Sequence, residues 1–294
     1  MNDEMEHNLA GPQPAEDSGR TARRLTALAR IIDPRLPSHR KALLISIASG
    51  ALALAVNLDN SLGYAFNAGI GSFLGWAVAR ELDPDRPDAA ALSGVLAGAT
   101  IALLGKALLL PVALALVTAR ILHRSTGLPP TAFDVLALIG VAYVGGTSTT
   151  GWASGVAMAF AVARDHRLPE PAPRFQLAGA FLIAASATAG AAATGLPGSW
   201  PVPALGSIAV LAVGLSAGLS LRNYQPSSRA DHTDTLLEVR RLRSARVGAL
   251  GTGLLAFAMA GEAGIVGLSP VWAAVTGVAL WDRIGRERVT YVST

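Results

Sequence analysis

Three ionisable residues, Asp59, Lys106 and Glu262, lie far along the chain from the arginine-rich segments. Glu262 lies about 16 residues beyond Arg246, which is roughly 24 Å of helix at about 1.5 Å per residue. Asp59 and Lys106 have a similar separation from the basic segments. Because ionisable groups at membrane depth usually face a cavity or one another, the three residues predict one polar site that lines a substrate path. The alternative is that all three are loop residues in water.

Two polar runs, residues 57–67 and 145–151, separate successive apolar segments. They favour interrupted helix ends, whose free backbone groups and side-chain oxygens line a path for a solute or an ion. Asn67 is the innermost polar residue of the first run, roughly 20 Å along a helix from Arg80, and is the fourth candidate lining residue. Tight turns capped by Asn, Ser and Thr are the alternative interpretation.

Asp83, Asp85 and Asp88 lie close together on a basic-side loop and are weaker candidates, for a magnesium site. Carboxylate oxygens are ligands that magnesium accepts. Asp88 follows Pro87 at a helix start, where a negative charge complements the helix dipole without any metal. A second acid, Asp134, belongs to the run Thr131-Ala-Phe-Asp134, which predicts a capping box and so a structural role.

Ten apolar segments must position these residues. Of the 24 Lys and Arg residues, all but Lys106 fall on the side where each of five hairpins begins and ends. Arginine and lysine accumulate at the cytoplasmic ends of membrane helices because carrying them across a bilayer is costly. The pattern predicts an all-α, polytopic transmembrane bundle of about ten spans in five hairpins, with both termini cytoplasmic. The predicted segments are about 42–56 and 62–80, 89–104 and 107–122, 131–144 and 150–164, 175–193 and 202–221, and 247–264 and 269–282.

The same pattern divides the chain into four parts. Residues 1–40 form a cytoplasmic tail, disordered at first and then amphipathic, and residues 41–222 hold transmembrane helices 1–8. Residues 223–245 form a cytoplasmic amphipathic linker, and residues 246–294 hold helices 9 and 10 with a short tail. The turn at Gly105 and Lys106 is placed there because the apolar stretch around it is too long for one span.

Glycine spacing and one repeat add detail to this bundle. Four Gly-x-x-x-Gly pairs allow helix backbones to approach closely, either within one bundle or across a homo-oligomer interface. Residues 77–80 and residues 161–164, 84 positions later, both read Ala-Val-Ala-Arg, which indicates that helices 1–4 and 5–8 are related. The glycine pairs are Gly71 and Gly75, Gly94 and Gly98, Gly151 and Gly155, and Gly214 and Gly218.

Composition excludes several function classes. Hydrophobic residues make up 51% of the chain and charged residues 15%, against about 25% charged in soluble domains. The net charge of +4 points to anionic lipid headgroups on the cytoplasmic side rather than to nucleic acid. The chain has no cysteine, which excludes disulfides and thiolate sites. The Ala- and Arg-rich composition is typical of a bacterial protein, here placed in the cell membrane.

These observations lead to one functional prediction and two alternatives. The prediction is a permease or channel-like transporter for a small solute, with no cofactor and with the four candidate lining residues along its path. Motifs for ATP-driven or hydrolytic chemistry are absent from the sequence. The first alternative is a membrane-embedded enzyme that acts on a lipid or isoprenoid at the cytoplasmic face and uses magnesium at the three loop aspartates. The second is a non-catalytic membrane subunit.

Overall fold

The chain folds into helices throughout the part that the structure describes. The structure is a computed structural model, and it describes residues 25–30, 32–56, 62–195, 204–221 and 224–292, with the backbone alone for 285–292. Within these ranges there are eleven α-helices and no β-strand, so the all-α prediction is confirmed. The helices are α1 (Pro37–Val56), α2 (Leu62–Leu82), α3 (Pro87–Leu104), α4 (Leu109–His123), α5 (Ala132–Gly146), α6 (Thr149–Asp165), α7 (Phe175–Thr194), α8 (Leu205–Ser220), α9 (Val239–Ala260), α10 (Glu262–Gly267) and α11 (Ser269–Val292).

Each of the ten predicted segments coincides with a long helix, with two differences. The segment 247–264 is interrupted at Gly261, where a backbone φ of 57° ends α9 and a short helix, α10, begins. The chain from 239 to 245, predicted as linker, is already helical and continues into that same segment. Glycine reaches this φ without steric cost, and the helical conformation is therefore interrupted there.

Three helices, α1, α3 and α7, are long and apolar enough to cross a membrane, and α4, α5 and α8 are shorter apolar helices. The outer faces of these and other helices carry large apolar side chains that are exposed. Examples are Phe66, Leu103 and Phe181, with 68%, 79% and 73% of their surface exposed. A soluble monomer rarely exposes so much contiguous apolar surface, whereas lipid tails accommodate it. The surface is therefore that of a possible membrane protein.

Two groups of three helices form the body of the bundle. Helices α1, α2 and α3 pack against one another, and so do α5, α6 and α7. Helix α4 lies between the groups and contacts both α2 and α6, while α9 packs against α4 and α6. Helix α11 covers α3 and α2, and α8 lies at the periphery against α11. Consequently α4 connects the two groups, and α9 also contacts both α2 and α6.

The four Gly-x-x-x-Gly pairs all lie against neighbouring helices of the same chain. A Cβ atom built at Gly75 would stand 2.6 Å from the Cβ of Ala97 on α3, and one at Gly214 would stand 2.6 Å from the ring of Trp272 on α11. The remaining members of the four pairs have equivalent neighbours within the chain. These contacts support close packing within one bundle, and the homo-oligomer stays a prediction.

Candidate functional site

The connection between α3 and α4 is held by the side chain of Asn67. The Asn67 Nδ2 donates to the Ala107 carbonyl oxygen at 2.9 Å, and the Ala107 N–H donates to the Asn67 Oδ1 at 2.9 Å. The connection begins at Gly105, whose φ of 115° ends α3. Asn67 thus supplies hydrogen bonds to backbone groups that no helix satisfies, which is what an amide side chain can do with both of its ends.

The short helix α10, which follows a second interruption, contacts this connection. Gly261 separates α9 from α10, and the last residue of α10, Gly267, accepts a 3.0 Å hydrogen bond from the Leu108 N–H. The side chain of Leu104 also lies beside Gly206 at the start of α8, 3.2 Å from the position a Cβ would take. The non-helical backbone after α3 therefore lies beside α8 and α10.

Both interruptions lie at the depth of the hydrocarbon if the arginine-rich end of the bundle is at one membrane surface. Helix α4 has 15 residues, which is about 22 Å, and the stretch of α9 beyond Arg246 is about 21 Å long. A bilayer core is about 30 Å thick. Non-helical backbone at that depth is tolerated only where it is buried in protein or lines a water-filled cavity.

Two ionisable side chains flank the interruptions. Glu262, half-buried in the first turn of α10, accepts a 2.9 Å hydrogen bond from Ser207 Oγ through its Oε1. Lys106 is exposed, and its Nζ stands 5.8 Å from the centre of the Tyr64 ring, a cation–π distance. The Tyr64 hydroxyl in turn donates to the Ile101 carbonyl at 2.6 Å.

The structure thus places three of the four predicted lining residues at the same end of the bundle, called here the opposite end and defined by Asn67, residues 104–108 and α10. Asn67 fixes the backbone beside Lys106, and Glu262 belongs to the helix that meets this backbone at Leu108. The fourth residue, Asp59, lies outside the described residues.

A dense set of ion pairs occupies the other end of the bundle, called here the basic end, where α2, α4 and α6 finish and α9 begins. Its first part is the Glu81 cluster. Glu81 is completely buried, and its Oε1 is 2.9 Å from Arg120 Nε and 3.4 Å from Arg30 Nη1. His123, also completely buried, places its Nδ1 3.4 Å from Glu81 Oε2. Two guanidinium groups therefore neutralise one buried carboxylate.

The second part is the Asp165 cluster. Asp165 at the end of α6 is completely buried, with its Oδ1 2.6 Å from Arg241 Nη1 and its Oδ2 3.1 Å from Arg124 Nη2. Arg241 also donates to the Pro169 carbonyl, and Arg124 donates to the Glu170 carbonyl at 2.6 Å. Backbone oxygens thus add to the partners of both buried guanidinium groups, as a buried charge requires, although Arg124 Nε has no hydrogen-bond partner among the described residues.

Neither cluster was predicted from the sequence, although the sequence contains a signal for both. Glu81 and Asp165 each follow directly after one copy of the repeated Ala-Val-Ala-Arg. Two acids at equivalent helix ends, in a chain whose basic residues gather on that side, indicate two equivalent ion-pair sites. The arginine partners were harder to find, because Arg30 and Arg241 come from distant parts of the chain.

The three loop aspartates have separate partners. Asp83 is buried and accepts a 2.5 Å hydrogen bond from the Tyr224 hydroxyl. Asp85 accepts 2.8 Å hydrogen bonds from the Ser227 and Ser228 N–H groups, and the exposed Asp88 is 2.8 Å from Lys41 Nζ. Among the described residues no group of three His, Asp or Glu side chains is arranged to hold a metal.

The first two of these aspartates differ in their electrostatics. Burial raises the pKa of Asp83 above its ordinary value, against the Tyr224 hydrogen bond that favours the ionised form. Burial acts in the same direction on Asp85, but its backbone hydrogen bonds outweigh it and leave the pKa below the ordinary value. Both carboxylates thus tie the connection after α2 to the segment before α9.

Comparisons of this chain with models of known protein families, with curated proteins and with solved structures find no match. Function must therefore be inferred from the residues of this chain alone.

Proposed function

We propose that this chain is a multi-pass membrane protein of about ten spans, with its basic end cytoplasmic, and that it moves a small solute without ATP. The observation that supports the proposal is the contact between the non-helical connection after α3 and the short helix α10 that follows Gly261, made by the hydrogen bond from the Leu108 N–H to the Gly267 carbonyl. In membrane carriers, interrupted helices of this kind present backbone and side-chain polar groups to a substrate or a coupling ion.

The ionisable groups beside the interruptions support a path for a polar solute. Glu262 and Lys106 stand on the two segments that meet, and neither makes an ion pair with a described residue. Ionisable groups at this depth are costly unless they face water, a partner or a substrate. A path between α8, α10 and the backbone after α3 gives both side chains such a place.

The distribution of charge supports the orientation. The basic end contains the two ion-pair clusters, whereas Lys106 is the one basic residue at the opposite end among those that the structure describes. A bundle with this asymmetry inserts with its arginine-rich end towards the cytoplasm. The exposed apolar side chains on the intervening helix faces then contact lipid tails.

The proposal is tested by flux in proteoliposomes. Vesicles containing the full chain are challenged in stopped-flow light scattering with urea, glycerol, ammonium and potassium gradients. We expect faster flux of at least one solute than in protein-free vesicles, and we expect Glu262→Gln to change that flux by roughly fivefold or more, or about 1 kcal/mol of barrier.

Asp234→Asn is the matched control, because this acid is 83% exposed at its side chain and lies in the linker of the basic end. Since the chain has no cysteine, Lys106→Cys and Ser244→Cys report orientation in the same vesicles through labelling with an impermeant maleimide. Flux equal to that of protein-free vesicles for every solute, or labelling of both cysteines from one side, would contradict the proposal.

A further inference from the structure

A groove of about 450 Å³ runs between α8 and α11. Its walls are mostly small or apolar, and one basic residue stands at its end. The groove is about 10 Å long, as measured along α11 from Thr276 to Arg283. Its main lining residues are Ala212, Ser216 and Ser220 of α8 and Thr276, Ala279 and Arg283 of α11.

The groove lies where the protein is least covered by its own helices. Helix α8 buries only Ser207 and Gly214, and its large side chains Leu205 and Leu219 are mostly exposed. The hydroxyl of Ser220 donates to the Ala217 carbonyl of its own helix at 2.7 Å. This serine therefore needs no partner from an occupant, and the groove accepts an apolar ligand.

The positive charge at the end of the groove indicates that the ligand has an anionic group beside its apolar part. Arg283 is exposed and makes no ion pair with any described side chain. It follows Asp282, which pairs with Arg86 at 2.8 Å and so lies at the basic end of the bundle. The groove therefore extends from the level of the ion pairs into the apolar zone, with the polarity expected of a site for a lipid that has an anionic headgroup.

A helix from a second copy fits less well. An α-helix about 10 Å wide occupies roughly 800 Å³ over the 10 Å length of the groove, more than the available 450 Å³. A single acyl chain is much narrower than a helix, and it brings no polar backbone that must be satisfied. We propose that the α8–α11 groove binds one anionic phospholipid, with an acyl chain between the helices and its phosphate at Arg283.

The experiment is native mass spectrometry of the delipidated full chain, titrated with phosphatidylglycerol or phosphatidylcholine. We expect one tightly bound phosphatidylglycerol and weaker binding of phosphatidylcholine. Arg283→Gln should reduce the affinity for phosphatidylglycerol about fivefold, the contribution of one basic residue near a lipid surface. Ala217 of α8 also lines the groove. Ala217→Trp, and in a milder form Ala217→Leu, should therefore reduce the binding of both lipids by filling the groove.

Two variants control for general effects. Arg243→Gln removes another exposed arginine near the basic end, and Ala51→Trp adds the same bulk to the exposed face of α1. Both should bind phosphatidylglycerol as the unmodified chain does. Unchanged phosphatidylglycerol affinity in Arg283→Gln would overturn the proposal. It would also be overturned if the Ala217 variants kept both lipids, or if they converted a dimer to a monomer without affecting lipid.

Discussion

The two ends of this bundle satisfy their polar groups in different ways. At the basic end, carboxylates meet guanidinium groups, and the buried acids Glu81 and Asp165 each have two of them. At the opposite end, side chains meet backbone: Asn67 binds both polar groups of Ala107. Lys106 and Glu262 make no ion pair with a described residue. Ion pairs thus hold helix ends together at the basic end, whereas under the proposed function the charge at the opposite end is available to a solute.

The two ends also differ in the free energy that the loss of one partner costs. A buried ion pair contributes little net stability, because desolvation offsets much of the Coulomb attraction. Removing one partner of the pair destabilises the fold strongly, since it leaves the other charge buried and unpaired. A hydrogen bond to uncharged backbone has a smaller cost of removal. Substitutions at the two ends should therefore differ in size.

The largest effect is expected at the basic end. Asp165→Asn removes the counterion of two buried arginines and should lower the free energy of unfolding by about 3–5 kcal/mol. The measurement is unfolding of the purified chain in mixed micelles, followed by circular dichroism. Asp234→Asn, which removes an exposed acid paired with the exposed Arg229, should leave the transition unchanged. Equal behaviour of the two variants would mean that the Asp165 cluster does not hold the helix ends.

A smaller effect is expected at the opposite end. Asn67→Ala leaves the N–H and the carbonyl of Ala107 without their partner, which should cost about 1–3 kcal/mol in the same unfolding measurement. Ser244→Ala is the control, because its hydroxyl is exposed and donates only to the Arg240 carbonyl of its own helix. A loss as large as that of Asp165→Asn would erase the contrast between the two ends.

The smallest effect is a pH dependence at Asp85. Its pKa in the folded chain lies below the ordinary value, so its stabilising contribution is complete above about pH 4, the ordinary pKa of an Asp. That contribution is lost as the pH falls through the folded pKa. Asp85→Asn should therefore be less stable than the unmodified chain at pH 7, with a difference that shrinks below about pH 4.

Asp88→Asn is the control for this titration, because the exposed Asp88 pairs with the exposed Lys41. It should show a smaller difference at pH 7 than Asp85→Asn does. A stability difference for Asp85→Asn that grew on acidification would show that the hydrogen bonds from Ser227 and Ser228 do not favour its ionised form.

Features that depend on neighbouring residues in sequence were predictable. The ten apolar segments coincide with helices, and the predicted capping box at Thr131 and Asp134 is present, with the Asp134 N–H donating to Thr131 Oγ1 at 3.1 Å. These features depend on apolar length and on local hydrogen bonds, which a sequence displays directly.

Features that depend on distant residues were not predictable. The interruption at Gly261 lies among many glycines that are simply helical, so its sequence does not distinguish it. Asn67 was singled out as a polar residue near a span, but its partner is the backbone of Ala107, 40 positions away. The ion-pair clusters likewise join residues from remote segments, and only packing of the helices brings them together.

Helix α4 has one further property that follows from its sequence. Arg120 in its last turn belongs to the Glu81 cluster, and Arg124 directly after that turn belongs to the Asp165 cluster. The two arginines are four residues apart, and Arg124 has the left-handed backbone conformation that ends α4. A shift of α4 along its axis would therefore displace both arginines. Helix α4 and the residue that follows it therefore take part in both ion-pair clusters, which lie at the ends of the two three-helix groups.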